Sequence, residues 1–312
     1  MRILVLGAGA LGGYFGGRLV QAGADVTFLV RPARRDALAA RGLVVDSPAC
    51  GGFTVPVRTV VQDDLAGEPR FDAVLLTCKA YDLGSAMEAI APAMAQGAAV
   101  LPLLNGLSHL DRLNAAFGAA NVLGGLAKIG ATLTPDGTIR HLNDWRFITF
   151  GEQDGAMSPR VRALEAAFPA GTVVAKAVPD ILRAMWEKLV HLATVASMTC
   201  LMRANVGEIV RSPGGPALLV RVLETNAAIA GAAGYPPPEA FLAEYRALFA
   251  DPASTYSASM LRDLERGGPI EADHIVGFIC DRARAAGIAA PALDIAYTHL
   301  KAYEARRAAG RI

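Results

Sequence analysis

Hydrophobic and polar positions in the first half of the chain alternate in short blocks that predict strands and helices in turn. Residues 2–6 (RILVL) are typical of a buried strand, residues 13–23 (GYFGGRLVQAG) predict a helix that ends at Gly23, and residues 25–30 (DVTFLV) predict a second strand. The alternation continues over residues 71–79 (strand), 83–97 (helix), 98–106 (strand), 134–142 (hairpin turn), and 144–151 and 171–178 (closing strands). This order of elements predicts an α/β domain with a parallel sheet.

The pattern changes to long helical periodicity from about Pro179 onward. A helix is predicted from there to about Met202, with Asp180 as its N-cap, and another over residues 267–287 (GGPIEADHIVGFICDRARAAG). Few strand signals remain, so we expect an all-α C-terminal domain over residues 179–312. The N-terminal domain then covers residues 1–178.

A glycine-rich stretch joins the first predicted strand to the first predicted helix. It consists of Gly7, Ala8, Gly9, Ala10, Leu11 and Gly12, in the pattern GxGxxG. Within a strand–helix–strand unit this motif binds dinucleotides, because its glycines allow a tight turn, close approach of a pyrophosphate and close helix packing. The N-terminal domain is therefore predicted to be a Rossmann-type doubly wound domain, with these six residues as cofactor-binding residues.

The end of the second predicted strand indicates which dinucleotide is bound. An NAD site usually places Asp or Glu there, but this chain continues with Arg31, Pro32 and Ala33 and then Arg34 and Arg35. A cation at this position suits a ribose 2′-phosphate, so NADP(H) is favoured. Arg31 is the candidate ligand, and Arg34 and Arg35 are interpreted as solvated charges of the following helix.

Polar side chains also follow two later strands. Lys79 and Asn105 each stand where a predicted strand of the N-terminal domain ends. Ligands of doubly wound sheets lie beyond the carboxyl ends of strands. Both residues are thus candidates for binding the cofactor or the substrate.

Two charges in the second half fall on apolar helix faces. Lys188 shares a face with Ile181, Met185 and Leu192, away from the polar face of Arg183, Glu187, His191 and Thr194. A lysine so placed must snorkel, find a partner or have its pKa lowered by desolvation, which would make it a general acid.

Glu271 lies four residues before Ile275 on an apolar face, although a first-turn glutamate also suits the helix dipole. Ser259 is a weaker candidate at a loop or helix start.

Composition and charge narrow the functional class. Hydrophobic residues make up 53% of the 312 residues, the formal net charge is +1, and four cysteines are scattered along the chain. A near-neutral chain gives no reason to expect a nucleic-acid partner, and neither cysteines nor histidines have metal-binding spacing. The most apolar stretches are interrupted by proline, glycine or charged residues, so no membrane span is expected. Unpaired cysteines suit the cytoplasm.

These residues resemble the ketopantoate reductase (2-dehydropantoate 2-reductase) family. The matching stretches run in order along the chain and are MRILVLGAGALGG, Arg31, LLTCKAYD with Lys79, LLNG with Asn105, MWEKL with Lys188, SML with Ser259, IEADHIVGF with Glu271 and RARAAGIAAP. The resemblance implies an enzyme that reduces a 2-oxo acid, ketopantoate or a close analogue, with NADPH, as in pantothenate biosynthesis. It also implies a cleft between the two domains for cofactor and substrate, and a homodimer formed through the helical domain.

Roles for single residues follow from the same resemblance. Lys188 would be the general acid that protonates the nascent alkoxide, and Glu271 would hydrogen-bond to cofactor or substrate. Asn105 and Lys79 would line the nicotinamide side, and Asn105 would also contact the substrate. Ser259 would hold the substrate carboxylate.

The chain departs from the family pattern after Lys188. The family commonly continues with KLxxNxxxNPLT, whereas Leu192 and Ala196 stand at the two asparagine positions here. Leucine and alanine do not replace an amide that hydrogen-bonds to a substrate. A related reductase of a more apolar ketone, or an NADP(H)-binding redox sensor without turnover, is the alternative.

Overall fold

The computed structural model describes all residues from Met1 to Ile312, and its contacts group the chain into two compact units. The first unit comprises Met1–Leu104 and His109–Ile181, and the second comprises Asn105–Ser108 and Leu182–Ile312. The short segment Asn105–Ser108 therefore groups with the helical half, although it follows a strand of the first unit.

Ten strands and five α-helices form the first unit. The strands are β1 (Arg2–Leu6), β2 (Asp25–Leu29), β3 (Leu43–Asp46), β4 (Phe53–Val55), β5 (Arg58–Val60), β6 (Ala73–Leu76), β7 (Ala99–Pro102), β8 (Leu123–Leu133), β9 (Ile139–Glu152) and β10 (Val174–Ala177). The helices are α1 (Ala10–Gln21), α2 (Pro32–Arg41), α3 (Leu83–Ala95), α4 (Ser108–Phe117) and α5 (Pro159–Ala167).

Five of these strands form a parallel sheet in the order β5-β2-β1-β6-β7. β1 lies at its centre, where Leu4 is in register with Thr27 of β2 and Val74 of β6. Its residues Ile3, Leu4 and Val5 are fully buried, as a parallel strand covered on both faces requires. The chain builds outward from β1 on one side and then crosses to β6 on the other, so the sheet has a switch point between β1 and β6.

A second sheet has the order β10-β9-β3-β4, with β8 paired antiparallel to β9. The turn between β8 and β9 has a Thr134 N–H to Thr138 carbonyl bond of 2.9 Å and Gly137 at φ +86°. The hairpin predicted at this turn and the two closing strands are thereby confirmed.

Seven α-helices form the second unit, and the N-terminal Rossmann-type and C-terminal helical architecture is as predicted. They are α6 (Ile181–Met202), α7 (Val206–Val210), α8 (Gly215–Ala232), α9 (Glu239–Leu248), α10 (Ser259–Glu265), α11 (Phe278–Ala285) and α12 (Pro291–Ala308). A single π-turn, Asp273–Gly277, leads into α11. None of the helices is both long and apolar enough to cross a membrane.

The polar face predicted for α6 is wrong at Thr194. This residue is fully buried; its hydroxyl donates to the Val190 carbonyl at 2.8 Å and accepts from Asn226 Nδ2 at 2.9 Å. Residues 193–200 of α6 are buried on every face of the helix, so a polar face extrapolated from the preceding turns does not reach solvent there.

Candidate active site

The glycine-rich loop ends β1 and begins α1 as predicted. Gly7 has φ +88°, a backbone conformation that favours glycine, and its N–H donates to the Leu29 carbonyl at 2.9 Å. Gly9 is the N-cap of α1, and neither a capping side chain nor an acidic first-turn residue is present there. The first N–H groups of the helix thus have no side-chain acceptor, which leaves an anion-binding helix end.

Gly12 and Gly9 of this loop are glycine for different physical reasons. A Cβ on Gly12 would lie 2.2 Å from the Gly7 carbonyl oxygen and 2.4 Å from Thr77 Oγ1, so close packing requires glycine there. Gly9 has φ −84°, which any residue adopts, and a Cβ there would meet no protein atom within 4 Å. The open space beside Gly9 fits a ligand that touches the backbone, as a dinucleotide pyrophosphate does.

The arginines after β2 differ in their contacts. Arg31 is exposed and is the N-cap of α2. Arg34 is half-buried and donates from Nη2 to the Ala8 carbonyl at 2.9 Å and to the Gly137 carbonyl at 3.2 Å. Burial, together with the charge of Arg41, lowers the pKa of Arg34. The interpretation of Arg34 as a solvated charge is therefore wrong, because this guanidinium joins the glycine loop to the β8–β9 turn.

Lys79 lies beyond β6 rather than at its last residue. The strand ends at Leu76, Thr77 Oγ1 donates to the Leu6 carbonyl at 2.8 Å, and half-buried Lys79 precedes a single 3₁₀ turn. The strand prediction was three residues too long because Thr77 and Cys78 continue the extended pattern without ladder bonds.

Three polar side chains meet in the second unit. Half-buried Lys188, on α6, donates from Nζ to Asn105 Oδ1 at 3.1 Å. Asn105 Nδ2 is 3.5 Å from Oε2 of Glu271, which is only 5% exposed. The asparagine amide thus lies between an amine and a carboxylate and can bond to both, because its oxygen accepts while its nitrogen donates.

Glu271 is not part of the helix that the sequence predicted. It directly precedes the turn of helix that starts at Ala272 and continues as the π-turn Asp273–Gly277 before α11. The Glu271 carbonyl accepts from the Ile275 N–H at 3.2 Å. Spacing at 3.6 residues per turn misplaces this carboxylate, because a π-turn contains an additional residue.

Ser259 and His191 are two further polar residues of this unit. Ser259 is the half-buried first residue of α10. His191 Nε2 is 3.0 Å from Tyr256 Oη, and its ring stacks on Tyr245 with centroids 4.2 Å apart. Sequence reasoning missed this cluster, although His191 stands one helical turn after Lys188.

The parallel sheet with its open glycine loop is the architecture of a dinucleotide-binding domain, and the amine–amide–carboxylate group contains a potential proton donor. The family follows from comparison with known proteins. Residues 3–155 match the model of "Ketopantoate reductase PanE/ApbA" and residues 180–304 match "Ketopantoate reductase PanE/ApbA C terminal". The chain belongs to the ketopantoate reductase family, whose members are NAD(P)H-dependent oxidoreductases.

Individual relatives match over nearly their whole length. The chain is 35% identical to "Uncharacterized oxidoreductase YkpB" of Bacillus subtilis, over 98% of this chain and 100% of that protein. It is 32% identical to "2-dehydropantoate 2-reductase" of Halobacterium salinarum, over 94% and 95% of the two chains. The crystal structure of 2-dehydropantoate 2-reductase from Methylococcus capsulatus has a TM-score of 0.88 and 29% identity, covering 98% of each chain. The chain is thus an enzyme of the 2-dehydropantoate 2-reductase type.

Proposed function

We propose that this enzyme reduces a 2-oxo acid to the 2-hydroxy acid with NADPH, and that ketopantoate or a close analogue is the substrate. The observation that carries the proposal is the hydrogen-bonded group of Lys188, Asn105 and Glu271. A ketone reduction needs a proton donor at the carbonyl oxygen, and a partly desolvated amine held by an amide is suited to that task.

Lys188 would donate a proton from Nζ to the oxygen of the substrate carbonyl as charge develops there. NADPH, when bound, supplies the hydride that adds to the carbonyl carbon. The oxygen of Asn105 orients the amine, and the amine regains its proton from solvent after each turnover. Glu271 holds the other end of the asparagine amide, so the amide oxygen stays turned toward Lys188.

The cofactor preference is proposed from the charges after β2. No acidic side chain stands between Leu29 and Arg35, whereas Arg31 is exposed at the start of α2. A carboxylate would accept ribose hydroxyls and repel a 2′-phosphate, so this segment supports NADP(H) over NAD(H). The N–H groups at Gly9 and the start of α1 would hold the pyrophosphate, and Lys79 would contact the cofactor.

Substrate preference is proposed from α6 and α10. Ser259 would bind the carboxylate that every 2-oxo acid carries. Half-buried Leu192 and fully buried Ala196 supply no hydrogen bond to a substrate hydroxyl, which favours an analogue with an apolar side chain. We further assign residues 1–178 to cofactor binding and residues 179–312 to substrate binding and dimerisation, and expect a cytoplasmic homodimer, which light scattering would test.

The decisive experiment is a panel of 2-oxo acids, ketopantoate included, assayed for NADPH and NADH oxidation. We expect turnover with NADPH and a loss of about 100-fold in kcat for Lys188→Ala, the usual scale for a general acid. The exposed Lys176 of β10 serves as the matched control, because Lys176→Ala also removes an amine, one that belongs to the first unit.

Two other outcomes of these assays would contradict part of the proposal. NADPH binding without oxidation for any acid of the panel would favour the redox sensor and contradict the reductase. Full activity of Lys188→Ala would leave the reductase in place and remove the role assigned to Lys188.

A further inference from the structure

The π-turn Asp273–Gly277 contacts both ends of the carboxylate–amide pair. Glu271 precedes it, and the Glu271 carbonyl accepts from Ile275 within it at 3.2 Å. On its other side the His274 carbonyl touches the segment that carries Asn105, since a Cβ on Gly106 would lie 2.3 Å from that oxygen. The conformation of this turn therefore sets where Glu271 and Asn105 stand with respect to each other.

A π-turn needs stabilising contacts from residues outside the turn. Such turns are rare within α-helices, so we expect contacts from elsewhere to select them over a regular helix. Side chains of α12 provide these contacts.

Tyr297 of α12 spans the π-turn from its first residue to its last. Its hydroxyl donates to Asp273 Oδ1 at 2.7 Å. Its ring lies on the backbone of Gly277, where an added Cβ would be 3.0 Å from Cε2 and 3.1 Å from Cζ. One side chain thus fixes both ends of the five-residue turn.

The charges around Asp273 keep this contact in place at neutral pH. Lys301 Nζ lies 3.0 and 3.1 Å from the two carboxylate oxygens of Asp273. Burial and the neighbouring carboxylate of Asp273 raise the pKa of Tyr297 to about 12, so its hydroxyl retains the proton that it donates.

We propose that Tyr297 is a positioning residue of this enzyme, which acts through Asp273 and the π-turn to hold Glu271 and Asn105 at the distance that turns the amide oxygen toward Lys188. The proposal rests on the proposed function for its catalytic consequence. Its structural part, the coupling of Tyr297 to the Asn105 amide, holds independently of substrate.

The chain contains a matched control on the same helix. Tyr303 donates its hydroxyl to the Gly268 carbonyl at 2.7 Å, whereas Tyr297 bonds to the π-turn. Tyr297→Phe and Tyr303→Phe each delete one oxygen and one hydrogen bond, so a general loosening of α12 would affect both variants alike.

The first measurement needs no cofactor. In the full-length protein, the side-chain amide cross-peaks of Asn105, assigned by their loss in Asn105→Asp, are followed by ¹H–¹⁵N NMR. We expect Tyr297→Phe to shift them in the same direction as Glu271→Gln, and Tyr303→Phe to leave them in place. Unmoved peaks in Tyr297→Phe, or equal shifts in both tyrosine variants, would overturn the proposal.

The second measurement is kinetic, with NADPH and the 2-oxo acid panel. We expect kcat to fall roughly 10- to 100-fold in Tyr297→Phe, the scale of a small misplacement of a catalytic group, with KM for NADPH changed less than kcat. In a Glu271→Gln background the same substitution should cost nothing further. Additive losses would contradict action through Glu271. A wild-type protein without turnover would refute the proposed function alone, because the NMR result still decides the coupling.

Discussion

At the scale of single residues, the candidate site contains an amide that lies between an amine and a carboxylate. Lys188 and Glu271 have opposite charges, and Asn105 offers an acceptor to one and a donor to the other. At the glycine loop, the half-buried guanidinium of Arg34 likewise has two partners, the carbonyl oxygens of Ala8 and Gly137. The hydrogen-bond partners of each side chain in the folded structure indicate a role that its position in the sequence does not.

Substitutions of Arg31, the N-cap of α2, and of Arg34, within α2, should affect the use of NADPH and NADH differently. Arg31→Ala should raise KM for NADPH about 10-fold or more and leave KM for NADH nearly unchanged, because it removes a charge-assisted bond to the 2′-phosphate alone. Arg34→Ala should raise KM for both cofactors, because it releases Ala8 in the glycine loop.

Arg35→Ala is the control for this pair, since Arg35 is exposed and pairs with neighbouring Asp36. Steady-state kinetics with both cofactors gives the comparison. Equal effects of Arg31→Ala on the two cofactors would contradict 2′-phosphate recognition.

At the scale of elements, local sequence is a good guide wherever an element has regular geometry. β1, α1 and β2 form over the predicted stretches, because a short apolar run, a glycine turn and a helical stripe are local properties. The segment after Gly268 is different, since a π-turn is imposed by contacts with Tyr297 and Lys301 of α12. The predicted continuous helix over residues 267–287 is wrong in its first five residues, because the helical stretch begins only at Ala272, and it contains the π-turn that spacing does not predict.

Alanine substitutions at Gly12 and Gly9 should have different effects, the first on stability and the second on NADPH binding. Gly12→Ala should destabilise the protein by about 1–3 kcal/mol or more, because the methyl group would overlap the Gly7 carbonyl and Thr77. Gly9→Ala should fold normally, since its backbone is unstrained and the space is open, but should bind NADPH at least about 10-fold more weakly.

Urea denaturation and NADPH titration by fluorescence test this pair together. Each variant serves as the control for the other. Tight NADPH binding by Gly9→Ala would show that the open space beside Gly9 is not the pyrophosphate site.

At the scale of the whole molecule, the chain folds into two units whose membership does not follow sequence order. Asn105–Ser108 groups with residues 182–312, so Asn105 stands beside Lys188 and Glu271 although it follows a strand of the first unit. Side chains that are distant in sequence from the candidate site also contribute to the stability of the fold. Glu152 at the end of β9, 7% exposed, accepts from Arg160 Nε at 2.7 Å and from Ser158 Oγ at 2.5 Å.

The buried carboxylate of Glu152 predicts that the free energy of unfolding of the protein decreases in acid. Burial would raise the pKa of Glu152, but the hydrogen bonds from Arg160 and Ser158 outweigh it and hold this pKa below its usual value. A group with a depressed folded-state pKa stabilises the fold above its unfolded pKa of about 4.3, and this contribution disappears as the pH falls through the lower folded value.

Glu152→Gln should therefore lower the free energy of unfolding by about 2 kcal/mol at pH 7, and the difference from wild type should shrink below about pH 4. Urea titrations across this pH range measure it. Glu224→Gln is the control, because Glu224 is exposed beside Arg246 and its loss should matter by less than about 0.5 kcal/mol. A difference that is constant with pH would contradict ionisation of Glu152 as the cause.

The sequence by itself determined the Rossmann-type sheet, the glycine loop and the long helix of Lys188, because short-range periodicity and glycine chemistry specify them. Resemblance to a family brought Lys188, Asn105 and Glu271 together as candidates, but helical spacing gave Glu271 the wrong local structure and Thr194 the wrong surroundings. Only the tertiary structure decided that Asn105 joins the amine to the carboxylate, that Arg34 holds the glycine loop, and that Tyr297 fixes a π-turn. These three features depend on contacts between residues distant in the chain, which no local pattern encodes.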